Sequence, residues 1–252
     1  MHIYRCELTL LEATFFSSRE VSATYQTEPL LGNIALAYAL GFCQSPYFND
    51  GTIHYRAHLA ALNEQGLYVT PGTIVGQPRF TLGYFNAQPD AYWYAMGAGA
   101  LVTRPDGAWA EGGGKTWRIV RQDGSRSKIS AETRPQYGRI RFLAIGNRAV
   151  AYVFSREPRG IPCYVRLGKF MSKARVDVVE VSFREEERAD QVVPFLLNPA
   201  DLPPAMPLRS FDLISVPPTP LVRNAWLSGR FFRLADGTYL PIGMRFGVEG
   251  LS

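Results

Sequence analysis

Alternation with a period of two residues marks the first strand of the chain. Within residues 3–11, apolar and polar side chains take turns: Tyr4, Cys6, Leu8 and Leu10 against Arg5, Glu7 and Thr9. Because successive side chains of a strand point to opposite faces, this pattern predicts a half-buried β-strand. Residues 15–20 are predicted to follow it as a loop.

Two later segments have the spacing of helices. Residues 27–42 carry a stripe of apolar and small residues, namely Leu30, Ile34, Ala37, Tyr38 and Gly41. Thr27 is a suitable cap for this helix, and Pro29 suits its first turn. Residues 55–65 predict a second, shorter helix that ends at Gly66.

The remaining sequence favours strands and loops. We predict an extended segment at 67–85, then a hairpin of 139–145 and 149–156 that turns at Gly146-Asn147. Two strands around a glycine turn are predicted within 163–183. The segment 194–220, with its eight prolines, predicts extended loops, and 229–246 predicts a hairpin that turns at Asp236-Gly237. Few helices among many strands indicate an α+β fold with a mainly antiparallel sheet.

The periodic pattern of apolar and polar residues weakens between residues 86 and 137, where basic residues become frequent. Within this stretch, residues 116–130 resemble a hairpin that turns at Asp123-Gly124. We interpret 86–137 as an insertion on a globular body.

Composition narrows the class of protein. The chain of 252 residues is 46% hydrophobic and 19% charged, which is ordinary for a folded protein with its own core. Cys6, Cys43 and Cys163 are widely spaced and form no CxxC motif, which favours reduced thiols in a cytoplasmic protein. The first residues do not resemble a signal peptide, and no run of 18 apolar residues suggests a membrane span.

Positive charge is concentrated in one part of the chain. The net charge is +5, yet residues 101–150 alone contain ten basic and four acidic residues, which leaves the rest close to neutral. Such a concentration suggests a polyanionic partner, although a solvated basic face would look the same. Only four of the 27 basic residues are lysines; arginine suits phosphate contacts, but a GC-rich genome gives the same bias.

No catalytic or metal-binding motif is convincing. His54 and His58 lie four residues apart, but Tyr55 stands where a zinc protease of the HExxH type has glutamate, so ordinary histidines are favoured over a metal site. The GGGK sequence at 112–115 lacks the first glycine of a phosphate-binding loop and fits a flexible hinge better. No GxSxG occurs, and three histidines give a nuclease no assignable acid–base pair.

Aromatic residues among the arginines are more informative. Single-stranded nucleic acid is bound by cations combined with stacking side chains, although about half of these aromatics are expected in the core: Trp109, Trp117, Tyr137, Phe142, Tyr152, Phe154, Tyr164 and Phe170. Arg166, Lys169, Lys173 and Arg175 flank the turn at Gly168. A glycine turn among cations is a candidate phosphate clamp.

Three segments carry a resemblance to a known family. Residues 15–42, 146–176 and 195–203 resemble the Cas five-type subunit of the type I-D CRISPR Cascade complex, the Csc one family. The similarity extends from the first strand to the last hairpin and is weakest over 86–137. It implies a single RAMP-type domain with a ferredoxin-like, RNA-recognition-motif-like palm (1–85 and 138–252) and an inserted basic β-hairpin thumb (86–137).

The resemblance also implies a function. Such a subunit caps the complex, holds the 5′ handle of the CRISPR RNA, and contacts a Cas seven-type backbone subunit and a Cas ten-type large subunit. It can aid recognition of the protospacer-adjacent motif, so target DNA is a partner through the complex. Related type I-C subunits cut precursor RNA, whereas in type I-D that task is expected of a separate Cas six ribonuclease.

We therefore expect a cytoplasmic, non-catalytic RNA-binding subunit without a metal or other cofactor. A metal-independent endoribonuclease of related fold and an RNA-binding protein outside CRISPR systems remain the alternatives. The predicted RNA-binding residues are Arg19, Lys115, Arg118, Arg121, Arg139, Arg141, Arg166, Gly168, Lys169 and Lys173.

Overall fold

A computed structural model describes residues 1–21, 24–44, 54–86, 101–103, 108–113, 116–130 and 137–248. The first strands and both helices are β1 (His2–Leu10), β2 (Arg19–Val21), β3 (Thr24–Gln26), β4 (Leu30–Leu31), α1 (Asn33–Ala39), α2 (Tyr55–Gln65), β5 (Leu67–Val69), β6 (Gly72–Ile74), β7 (Phe80–Asn86), β8 (Leu101–Thr103), β9 (Trp109–Gly113), β10 (Thr116–Val120) and β11 (Arg126–Ser130). The later strands are β12 (Tyr137–Leu143), β13 (Arg148–Ser155), β14 (Tyr164–Leu167), β15 (Ser172–Glu180), β16 (Phe183–Val193), β17 (Leu208–Ile214), β18 (Leu221–Leu234) and β19 (Tyr239–Pro241).

The described residues form two compact units. The first unit comprises residues 1–82 and 141–252, and the second comprises residues 83–140. The chain leaves the first unit in β7 and returns in β12. Their action as palm and thumb stays a prediction.

The largest sheet has the order β14-β15-β1-β13-β6-β4, and β5 also pairs with β13. β1 lies at its centre, antiparallel to both β13 and β15. Cys6, Leu8 and Leu10 are fully buried, while Glu7 and Thr9 between them are half-buried. The predicted half-buried strand is thus confirmed.

The fold is α+β and rich in antiparallel sheet, as predicted. A ferredoxin-like unit has the order β-α-β-β-α-β, with one helix in each of its two strand connections. Here α1 and α2 both lie between β1 and β13, in the first of these connections. Residues 156–163, which connect β13 to β14, contain no helix. The ferredoxin-like palm is therefore not confirmed.

The helix predicted at 27–42 is present only over Asn33–Ala39, and its predicted first six and last three residues are not helical. α1 begins at Asn33, because Leu30 and Leu31 pair with β6 as a short strand. The hydroxyl of Thr27 bonds Phe16 instead of capping a helix. The second helix is confirmed over residues 55–65, with Gly66 in the left-handed conformation (φ 65°) that ends it.

The hairpin predicted at Gly146-Asn147 is also wrong. The turn is present, but β12 and β13 belong to different sheets. The end of β1 takes the hydrogen bonds at this turn: the amide of Gly146 donates to the carbonyl of Leu10, and the amide of Leu10 donates to the carbonyl of Asn147. The two strands are therefore drawn to different partners.

The proline-rich segment 194–220 contains more regular structure than predicted. A short 3-10 turn at Pro199–Asp201 is followed by β17, whose seven residues contain no proline. β17 joins the C-terminal sheet, of order β16-β18-β17 with β19 on β18. The hairpin of β18 and β19 confirms the predicted turn at Asp236-Gly237.

The second unit contains a sheet of order β11-β10-β9-β8. The predicted hairpin at Asp123-Gly124 joins β10 and β11, and the Asp123 carboxylate accepts a hydrogen bond from the amide of Ser125. Neither helix in the described part of the chain is long and apolar enough to cross a membrane.

A buried polar cluster ties α1 to the C-terminal segment. The Asp201 carboxylate accepts hydrogen bonds from the Asn33 amide (2.6 Å), the Tyr68 hydroxyl (2.8 Å) and the backbone amide of Gly247 (2.8 Å). Burial raises the pKa of Asp201 to about 7. The cluster fixes α1 on the large sheet, and α1 forms one wall of the site described below.

Candidate nucleic-acid interface

The hairpin of β14 and β15 carries the densest group of cations in the first unit. Residues 164–175 contain four basic residues and no acidic residue. Val165 and Leu167 are buried, so strand alternation turns Tyr164 and Arg166 outward. The hairpin thereby presents its charge to solvent while its apolar side chains anchor it.

Two like charges face each other across this hairpin. Arg166 lies directly opposite Lys173, an arrangement that destabilises a strand pair. Glu12 compensates in part: its Oε2 accepts a hydrogen bond from the backbone amide of Lys173 (2.8 Å) and lies 3.8 Å from Nη1 of Arg166. Since this one exposed carboxylate pairs with Arg166 and not with the ammonium of Lys173, the hairpin stays net positive.

The turn of the hairpin is held against the chain after β1. Gly168 has φ +71°, and the carbonyl of Phe15 occupies the space where a β-carbon would project. The amide of Lys169 donates to that same carbonyl (2.9 Å). Because Gly168 has no side chain, the backbone at Phe15 can approach it closely. Its part in a phosphate clamp stays a prediction.

Lys169 stands apart from the other cations of the hairpin. Arg166 is held by Glu12 and by the carbonyl of Met171 (3.0 Å), and Nζ of Lys173 lies 4.5 Å from the centre of the Tyr164 ring. Nζ of Lys169 has no ion pair among the described residues, and its side chain is exposed. Lys169 is therefore the cation most available to an anion.

The hairpin and α1 enclose a cleft of about 500 Å³, which we call the hairpin cleft. Arg166, Lys173 and Tyr164 line one wall, and Ala35 and Tyr38 of α1 line the other. Cations and aromatic rings around one concave surface are the elements that bind single-stranded nucleic acid. Phe170 at the tip is more than half exposed and stacks on Phe15 with centroids 5.6 Å apart.

One known protein family matches almost the whole chain. A family model described as type I-D CRISPR-associated protein Cas5/Csc1 matches residues 1–249. The chain belongs to this family. No curated protein matches the chain. Family membership makes it a Cas5-type subunit of a type I-D CRISPR system.

The remaining predicted residues of this Cas5/Csc1 chain lie in several places. In the second unit, Arg118 on β10 is exposed and stands opposite Lys128 and Glu111, and Arg121 is exposed at the following turn. Arg139 on β12 is exposed, with its guanidinium 5.8 Å from the centre of the Tyr84 ring. Lys115 lies outside the described residues.

Two predicted residues are engaged within the first unit of the Cas5/Csc1 chain. Arg19 on β2 is exposed and lies 3.6 Å from the Glu28 carboxylate. Arg141 stacks on the Phe80 ring at 4.3 Å and donates a long hydrogen bond to the carbonyl of Thr27 (3.4 Å). These contacts give Arg141 a packing role within the fold. Its RNA-binding role stays a prediction.

The histidines of the Cas5/Csc1 chain form no metal site in the described part. His54 and His58 stack on each other with ring centroids 5.6 Å apart, and Nδ1 of His58 lies 2.8 Å from the Tyr38 hydroxyl. Among the described residues, no group of three or more potential ligands could hold a metal ion. Burial is the main cause that raises the pKa of Tyr38 to about 12.

Sequence reasoning missed Glu12 and assigned Tyr38 only to a packing stripe. Glu12 reaches the hairpin because β1 lies beside β15, a pairing between residues far apart in the chain. Tyr38 does pack on the core, but its half-buried ring also lines the hairpin cleft. A half-buried aromatic at the edge of an apolar helix stripe was the one signal available.

Proposed function

We propose that this Cas5/Csc1 protein binds single-stranded RNA as a non-catalytic capping subunit of the type I-D surveillance complex. The ligand of the protein is the 5′ handle of the CRISPR RNA. The RNA backbone runs along the hairpin of β14 and β15. The same subunit contacts the backbone and large subunits and aids recognition of the motif beside the protospacer in target DNA. Its place of action is the cytoplasm.

The observation that carries the proposal is the unbalanced charge of the hairpin. Arg166 and Lys173 face each other, Glu12 forms an ion pair with Arg166 but bonds only the backbone amide of Lys173, and Lys169 has no ion pair among the described residues. A protein selected only for stability gains little from such an arrangement, because like charges across a strand pair repel. An RNA phosphate between them would offset that repulsion.

The two compact units support a division of labour. In the proposal the first unit is an RNA-recognition palm that holds the handle, and the second unit is the basic thumb. Arg118 and Arg121, both exposed on the β10–β11 hairpin, supply the thumb's cations.

Binding rather than cleavage is favoured by the surroundings of the histidines. The hairpin cleft is lined by no histidine of the described residues. Tyr38, which lines it, has a pKa raised to about 12, so its hydroxyl stays protonated at neutral pH and is rarely available to accept a proton as a general base. His2 is paired with Glu180 at the far end of β1.

The test is a double substitution, Arg166→Ala with Lys169→Ala. Each charge-assisted phosphate contact contributes about 1.5–3 kcal/mol, so affinity for the RNA recovered from the native complex should fall roughly ten- to a thousandfold, allowing for non-additivity. The melting temperature should change little, because exposed cations contribute little to folding. Unchanged RNA affinity would refute the proposal.

Salt titration adds a second measurement on the same proteins. If about five phosphates are neutralised, the slope of log K against log salt is roughly −3.5, and losing two contacts makes it shallower by roughly 1.4. The matched control is Arg184→Ala with Arg209→Ala, which removes two exposed arginines from the C-terminal sheet. This control should bind RNA almost as tightly as the wild type.

A further inference from the structure

A second cleft, of about 540 Å³, shares Ala35 and Tyr38 of α1 with the hairpin cleft. It lies between α1, the segment 16–18 and the proline loop 216–219, and we call it the proline cleft. Its volume falls within the range of pockets that hold small organic ligands. The two clefts therefore adjoin along one short helix.

The walls of the proline cleft are mostly apolar and aromatic. Phe16, Tyr38 and Tyr55 contribute rings, with the Tyr38 and Tyr55 centroids 5.5 Å apart in an edge-to-face arrangement. Pro217 and Pro218 form the facing loop. Flat apolar surfaces with aromatic edges suit a planar heterocycle.

A few polar groups stand at the same cleft. Ser17, Thr219 and Lys169 line it, and the Ser17 hydroxyl makes no hydrogen bond among the described residues. Lys169 belongs to the tip of the hairpin, next to the cations of the hairpin cleft. The proline cleft thus combines an apolar interior with a cation that continues the proposed RNA path.

We propose that the proline cleft takes one unstacked nucleotide of the bound RNA, with its base against Tyr38 and Phe16 and its phosphate on Lys169. This inference rests on the proposed function, since the RNA backbone must follow the hairpin to deliver a base here. A hydroxyl such as that of Ser17 can donate to or accept from a base edge.

An RNA base fits this cleft better than an apolar side chain of a partner protein. Lys169 lines the cleft with no ion pair in the described residues, and Arg166 and Lys173 lie on the same hairpin. A purely apolar occupant would leave Lys169 without an anion, whereas each nucleotide brings a phosphate. The charge of the rim therefore decides between the two occupants.

Gly32 offers a way to fill the cleft without straining the fold. It lines the cleft at the start of α1, has φ −65°, and has no atom within 4 Å of the position of an added β-carbon. Gly32→Leu should therefore place a side chain in the cleft. Gly32→Ala is the matched control at the same position, and Gly160→Leu adds the same side chain at a glycine that also has open space.

The probes are a ten-nucleotide oligoadenylate and an abasic ribose-phosphate oligomer of the same length, both measured against the full-length chain. Stacking of one base is worth a factor of about five to 150 in affinity. Gly32→Leu should weaken oligoadenylate binding by that factor and leave binding of the abasic oligomer unchanged. Both control variants should bind both probes like the wild type.

Every other outcome contradicts the inference, and the outcomes can be told apart. If the wild type binds neither oligomer, the proposed function fails first. If Gly32→Leu binds both oligomers like the wild type, RNA binds without using the cleft, and loss of complex assembly in that variant would identify a protein occupant. If Gly32→Leu weakens the binding of both oligomers equally, the substitution disturbs the contacts to the phosphates and no base is inserted. A melting temperature within a few degrees of that of Gly32→Ala excludes misfolding as the cause.

Discussion

The carbonyl of Phe15 occupies the side of Gly168 on which any other residue would carry its β-carbon. Gly168 also has φ +71°, a conformation that other residues adopt at a cost. The tip of the basic hairpin is therefore fixed to the segment after β1 by a close approach of two backbones. The position of Lys169, which bonds the same carbonyl, depends on this contact.

Gly168→Ala should destabilise the protein by about 2–4 kcal/mol, since left-handed strain and overpacking add. Gly41→Ala is the control, because Gly41 has a similar φ (+76°) but no atom near an added β-carbon. That variant should lose only about 1–2 kcal/mol. Urea unfolding of the three proteins measures the difference, and equal losses would mean that Phe15 moves aside without cost.

Asp201 gives the stability of the protein a dependence on pH. Its pKa is raised from 3.8 to about 7 in the folded state, so the folded protein holds a proton between these values that the unfolded chain releases. The free energy of unfolding therefore falls as pH rises from about 4 to about 7 and receives no further change from this group above that. Asp201→Asn should remove this slope.

The same substitution should also lower stability at pH 7 by about 1–3 kcal/mol, because one of the two accepting oxygens becomes an NH2 group that cannot accept. The two oxygens accept hydrogen bonds from the Asn33 amide, the Tyr68 hydroxyl and the Gly247 backbone. Thermal unfolding across pH 4–8 measures both effects. Asp190→Asn, at an exposed ion pair with Arg209, should keep the slope of the wild type; a slope that survives in Asp201→Asn would assign it to another group.

The sequence predicted correctly those elements whose ends are determined by residues adjacent in the chain. Gly66 ends α2 and Asp236-Gly237 turns β18 into β19, because backbone conformation at these positions is set by glycine and aspartate themselves. The alternation in β1 predicted its buried face for the same reason. Each of these features requires only a few consecutive residues.

Features that depend on distant pairing could not be predicted in this way. Gly146-Asn147 has the composition of a hairpin turn, yet the end of β1 takes its hydrogen bonds. Leu30 and Leu31 suit a helix, yet β6 pairs with them. At the candidate site, Glu12 meets Arg166 only because β1 and β15 are neighbours, so its compensating charge had no counterpart in local sequence.

The first unit should fold without most of the second unit. The main hydrophobic core consists of residues from the first unit, and no described residue between 83 and 140 belongs to it. Replacing residues 100–130 by a short Gly-Ser linker removes β8 to β11 together. The first unit should therefore keep its core, with a melting temperature close to that of the full chain.

RNA binding should respond differently to this replacement. The removed segment contains six basic and three acidic residues, so it takes away a net charge of +3. If the segment acts as the thumb, affinity falls and the salt slope becomes shallower by roughly 0.7 for each lost phosphate contact, while Arg166→Ala with Lys169→Ala still weakens what remains. Circular dichroism and filter binding on the same samples separate the cases. A variant that fails to fold would show that residues 100–130 support the core, and a folded variant with wild-type affinity would confine the RNA site to the first unit.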